Sequence, residues 1–250
     1  MEKPNKPTFP TEEVTLPSKG LLYPESSPLS KGTIEMKYMT AREEDILTNQ
    51  NYIENGTVID KLLQSLIVTS IDYDELLVGD KNAILIAARI LGYGSDYSFQ
   101  YNDEEVNIEL TEVKDKPLND SLITKGKNTF HYTLPTSKIE VTFKILTHKD
   151  EKAITNEIKG LKKINKKSSA DITTRMKYLL TSVNGDSEKK TIREFVDTQL
   201  LARDSRALRN YALDIQPDVD LTFEYEDNKG NTSRVNIPID VNFFWPDAGV

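Results

Sequence analysis

The chain has 250 residues, a formal charge of −8, 29% charged and 37% hydrophobic side chains, and no cysteine. The acid surplus argues against a nucleic-acid partner, which would need a basic face, and without thiols there is no disulfide or thiolate zinc site. The longest apolar stretch, residues 83–91, contains Arg89 and is too short to span a bilayer, which argues against a membrane partner.

Residues 1–31 hold six prolines and no helical periodicity. Charges and prolines stand at residues 1–10 where a secretory leader needs an apolar run, so the chain is expected to be soluble and intracellular. The whole segment reads as an extended Pro-rich arm. Leu21, Leu22 and Tyr23 put apolar surface on that arm, and they are candidate partner-binding residues unless the arm packs on its own body.

From Thr33 to Met39, Ile34, Met36 and Tyr38 alternate with Glu35 and Lys37, the period of a half-buried strand. Thr40-Ala41-Arg42-Glu43 is a capping box, and Asn55-Gly56 closes the helix it opens. Val58, Ile59, Leu62, Leu63, Leu66 and Ile67 follow the spacing of an amphipathic helix. Asp80 is placed to cap a further helix that Gly92 ends. Tyr97 to Leu110 then reads as two short strands around residues 102–105.

The second half repeats much of this order. At an offset of 124, Leu76-Leu77, Asp80, Ala83, Ala88, Asp96, Phe99, Tyr101 and Asp103 meet identical residues from Leu200-Leu201 to Asp227. Upstream, Ile34-Glu35-Met36 resembles Ile139-Glu140-Val141, and Thr40-x-x-Glu43 resembles Thr147-x-x-Asp150. The expected fold is α+β, with two related strand–helix–hairpin domains from a tandem duplication. The boundaries are an arm at 1–31, a first domain at 32–115, a linker at 116–135 and a second domain at 136–250. The offset is far too long for a solenoid repeat. A hairpin turn is expected at residues 228–231, and the lysine run at 160–169 reads as a solvated helix end and loop.

Little of this spells chemistry. The two histidines, His131 and His148, stand beside no serine or carboxylate at motif spacing, and a surface or capping role is expected for His148. No phosphate loop, dinucleotide fingerprint or metalloprotease motif occurs. Asp72, Asp74 and Glu75 favour a helix N-terminus through its dipole. No catalytic residue, cofactor, metal or small-molecule substrate is assigned, and the chain is read as a non-enzyme. Phe243, Phe244 and Trp245 form the densest aromatic cluster, either a last strand tucked on the second domain's core or a second candidate partner-binding anchor.

The segments at residues 17–24, 35–40 and 43–47, with Asp204-Ser205-Arg206 and Phe243-Phe244-Trp245-Pro246, resemble the baseplate hub assembly proteins of T4-like tailed bacteriophages. The resemblance implies a part in building the tail baseplate hub, through binding to other hub or tail proteins. It places the protein in the host cytoplasm during assembly or in the virion tail baseplate. A tail assembly chaperone for the tape measure protein, absent from the virion, is an alternative. A tail-associated hydrolase is another, opposed by the missing catalytic motifs. The resemblance implies that some relatives carry cysteine pairs in hairpins of this kind; here Phe99, Tyr101, Phe223 and Tyr225 would hold the hairpins by cross-strand packing.

Overall fold

The stretch read as an extended arm is folded onto the body over its described part. In the computed structural model, which describes residues 10–164, 170–226, 230–239 and 241–244, β1 (Thr11–Thr15) pairs antiparallel with β2 (Thr33–Lys37). Val14 stands opposite Ile34 in that register. Residues 16–32 are the loop of this hairpin, closed where Leu16 N donates to Gly32 O at 2.8 Å. The prolines here set turns instead of extending the chain. Gly20 has φ +74°, and a Cβ on it would fall 2.4 Å from Ser30 O, so only glycine allows the loop to close on itself. Leu16, Leu22, Tyr23 and Leu29 all reach the core from this loop.

The capping box opens α1 (Ala41–Leu47) as expected, but the helix stops early. Asn49 accepts from Tyr52 N at 3.3 Å and so caps a separate α2 (Gln50–Glu54), because its side chain competes with helix continuation. Gly56, with φ +67°, then ends α2, and Thr57 N donates back to Tyr52 O at 2.8 Å. Helix α3 (Val58–Leu66) buries Val58, Leu62, Leu63 and Leu66. It delivers Ile67 to a bridge with Met36, so residues after α3 line the free edge of β2.

A one-turn helix at Tyr73–Glu75 precedes α4 (Val78–Tyr93). Asp80 sits inside the first turn of α4 and Leu77 takes the cap position, so the capping role expected of Asp80 does not hold. The helix ends at Gly94, φ +84°, one turn-half beyond Gly92. β3 (Asp96–Tyr101) and β4 (Glu104–Glu109) then form a hairpin whose two-residue turn, Asn102-Asp103, has positive φ at both positions.

The next hairpin begins inside the stretch read as a linker. β5 (Phe130–Thr133) pairs with β6 (Glu140–Phe143), and β7 (Leu180–Val183) adds to the other edge of β6, with a slip between Thr142 and Phe143. Between β6 and β7 run α5 (His148–Ile164) and α6 (Asp171–Leu179). Then come α7 (Lys189–Thr198), α8 (Ala202–Ile215), and the hairpin β8 (Thr222–Glu226) with β9 (Thr232–Asn236). The turn expected at 228–231 lies partly, and the lysine run from 165 onward wholly, outside the described residues. Residues Val241–Phe244 form a short 3-10 helix, where a final strand was expected.

The architecture is therefore α+β, and among the described residues its sheets have two or three strands each. Each half runs hairpin, capped helix, helix, short edge segment, aspartate-bearing helix, hairpin, with α2 an extra short helix in the first half. Helix α7 stands where the first half has only the turn at Tyr73–Glu75. The two halves share one continuous cluster of buried hydrophobic side chains from Leu16 to Phe244. Backbone bonds stitch them as well: Val78 N donates to Leu146 O at 3.1 Å, and His148 N donates to Leu76 O at 2.7 Å.

Candidate functional site

Four carboxylates sit at corresponding places in the two halves, and each spends its oxygens on holding the chain. Asp80 is fully buried. It accepts from Ser18 N at 2.9 Å, from Ser18 Oγ at 2.7 Å and from the Tyr23 hydroxyl at 2.6 Å. The same hydroxyl accepts from Leu77 N at 2.9 Å, satisfying a buried amide at the start of α4. Burial lifts the Asp80 carboxyl to about 6 against the pull of these donors, and burial beside Asp80 drives the Tyr23 hydroxyl far above its ordinary value.

Asp204, at the same place in α8, accepts from Thr136 N at 2.7 Å and Ser137 N at 3.0 Å in the loop of the β5–β6 hairpin. Both loops start alike, with Leu16-Pro17-Ser18 and Leu134-Pro135-Thr136. This repeated Leu-Pro-hydroxyl triplet is the signal that sequence reasoning passed over. It marks the points where each half ties its hairpin loop to its aspartate-bearing helix.

The capping boxes match just as closely. Glu43 accepts from Thr40 N at 3.0 Å and Thr40 Oγ1 at 2.6 Å, while its other oxygen takes Lys37 Nζ at 2.8 Å. Asp150 accepts from Thr147 N at 3.0 Å and Thr147 Oγ1 at 2.9 Å, and its other oxygen takes Lys144 Nζ at 2.8 Å. In both cases the lysine lies six positions before the acid.

His148 is buried at the seam between the halves, not on the surface. Its Nε2 lies 3.6 Å from Asp60 and 4.0 Å from Asp74, and Lys81 Nζ is 3.3 Å from Nδ1. The Tyr73 ring meets it edge-on at 4.8 Å. Desolvation, with Lys81 beside it, holds the imidazole below its usual pKa. Lys81 and Tyr73 both converge on Asp60, at 2.5 and 3.0 Å. These groups compensate one another across the seam, along the edge of a cavity of about 720 Å³. Among the described residues no cluster of three metal-ligating side chains forms, and no helix is long and apolar enough to cross a membrane.

The candidate docking residues are placed mostly inward. Leu22 and Tyr23 are buried in this chain's own core and Leu21 is half-buried. Phe243 and Phe244 are fully buried, Phe243 edge-on to Tyr97 of β3 at 4.9 Å, so this segment packs on the first half. Trp245 lies outside the described residues. The hairpin aromatics do not pair across their own strands. Phe99 meets Phe223 at 5.3 Å and Tyr101 meets Tyr225 at 4.9 Å, so equivalent residues of the two hairpins face each other. Alternation puts both aromatics on one face of each hairpin, and that face is covered by the other hairpin.

A family model described as T4 bacteriophage base plate protein matches residues 10–245, which takes in both halves and both hairpin loops. The chain belongs to that family. No curated protein and no solved structure matches it. In this phage base plate protein the segments that carried the sequence resemblance, around Tyr23, Glu43 and Asp204, coincide with the buried ties described above.

Proposed function

We propose that this base plate protein is a non-enzymatic assembly factor or component of the baseplate hub, acting through binding to other hub or tail proteins. The family match over residues 10–245 carries the reading. The placement of the carboxylates supports it: Asp80, Asp204, Glu43 and Asp150 are engaged by backbone amides, hydroxyls and lysines of their own chain. The paired geometry of the two halves supports a tandem duplication as the origin of the fold. Its place is the host cytoplasm during assembly and the virion tail baseplate if it stays as a component. A transient chaperone for the tape measure protein would bind that protein and leave the particle.

The test is a pull-down of the tagged protein from infected cells, with purified virions probed for the same protein. Hub proteins in the pull-down support the reading, and presence in the virion makes the protein a component. Tape measure protein alone, with none in virions, selects the chaperone. Recovery of no tail protein, together with cleavage of cell-wall material by the purified chain, selects the hydrolase and sinks the proposal.

A further inference from the structure

The second half carries a basic cleft beside α7. Charge is unevenly spread along the chain: residues 1–129 hold 22 acidic and 13 basic side chains, and residues 130–250 hold 18 and 19. Five of those cations, Lys144, Lys149, Lys177, Lys189 and Arg193, line one cleft of about 530 Å³ between α5, α6 and α7. Asp150 is its one acidic wall residue among those described, and it is already held by Lys144 at 2.8 Å. Lys177 is held by Asp197 at 2.7 Å and Arg193 by Glu157, neither acid lining the cleft itself. Among the described residues Lys149 and Lys189 have no ion-pair partner, and both are exposed. The floor is apolar, formed by the buried Leu180 and Ile192. Like charges held together repel unless compensated, and here three internal acids fix the inner cations while two outer ones remain uncompensated. The wall bearing Ser187, Lys189 and Arg193 belongs to α7 and its approach, the segment that replaces the single turn of the first half.

We propose that this cleft binds an acidic segment of a partner polypeptide. The two outer lysines meet its carboxylates, and the apolar floor takes a neighbouring side chain. A protein segment fits better than a nucleic acid: the cleft, at about 530 Å³, has room for a few side chains over an apolar floor but is no continuous track for a sugar–phosphate backbone. Stacking faces are also few, since Tyr178 is the one aromatic residue lining the cleft among those described. The proposal deepens the protein-binding reading by naming the partner's chemistry. It is tested on the purified chain, so it can fail while the pull-down still recovers hub proteins.

The probe is a fluorescein-labelled peptide of six glutamates flanked by leucines, titrated with the full chain and followed by anisotropy. Saturable binding that weakens with salt is expected. Lys149→Glu with Lys189→Glu should weaken it by about tenfold or more, with the melting temperature unchanged. A matched pair on the exposed end of α5, Lys159→Glu with Lys162→Glu, should bind as wild type does. Equal losses in the two pairs, or no binding at low salt, would overturn the proposal. So would tighter binding of an oligothymidylate through the same lysines, which would make the cleft a phosphate site. Self-association in sedimentation that the cleft pair abolishes would equally overturn it, since a second copy would then be the occupant.

Discussion

The Tyr23 hydroxyl joins the hairpin loop to α4, and Tyr23→Phe removes that one oxygen while keeping the ring. The oxygen donates to Asp80 at 2.6 Å and accepts from Leu77 N at 2.9 Å, and all three residues are buried. Without it, Leu77 N becomes an unsatisfied buried donor, at a cost of roughly 1–3 kcal/mol. Asp80 also loses one of its charge-assisted bonds, worth roughly 1.5–3 kcal/mol. The two losses belong to one network and do not simply add, so a destabilisation of about 3 kcal/mol is expected. Equilibrium urea unfolding at pH 7.5, followed by circular dichroism, reads it as a lower midpoint at unchanged slope. Tyr38→Phe is the control, because that hydroxyl meets Glu12 on the surface at 2.9 Å and its loss should leave the midpoint unchanged. A Tyr23→Phe loss below about 1 kcal/mol would show that the hydroxyl does not tie the loop down, and the arm could then detach to reach a partner.

Gly79→Ala should destabilise by several kcal/mol or prevent folding, because a Cβ there would stand 1.8 Å from Pro217 O and force apart the backbones that join the halves. Thermal unfolding reads it, and a variant melting within a degree or two of wild type would contradict the close approach. The Asp80 carboxyl has a folded pKa of about 6 against an ordinary 3.8, so the native state holds a proton that the unfolded chain releases above about pH 4. Its contribution is therefore complete below pH 4 and falls by about 3 kcal/mol as pH rises to 6. Wild-type stability minus that of Asp80→Asn, measured across this range, should show the fall; a flat difference would place the carboxyl at its ordinary value. Phe99→Ala should cost about 2 kcal/mol and speed amide exchange in both hairpins, 96–109 and 222–236, since Phe99 packs on Phe223. Faster exchange confined to residues 96–109 would refute the shared aromatic face.

What the sequence determined by itself was local. Alternation at 33–39, the two Thr-x-x-acid boxes and the apolar spacing of 58–67 name strand, cap and helix from residues a few positions apart, and these elements stand where they were expected. The α+β class follows from them, as does the matching order of the halves. The break at Asn49 was misread because an asparagine inside a helical pattern either faces solvent or caps a new helix, and local spacing does not choose between these. What only the tertiary structure decided is where the apolar and charged groups of each element go. Tyr23 finds Asp80 57 positions away, and His148 meets Asp60 and Lys81 at the seam. Phe99 meets its own equivalent in the other hairpin. The Pro-rich segment looked free because it has no helix of its own to bury Leu22 and Tyr23. The body does that instead, because a carboxylate sealed inside it needs donors that only this loop can bring.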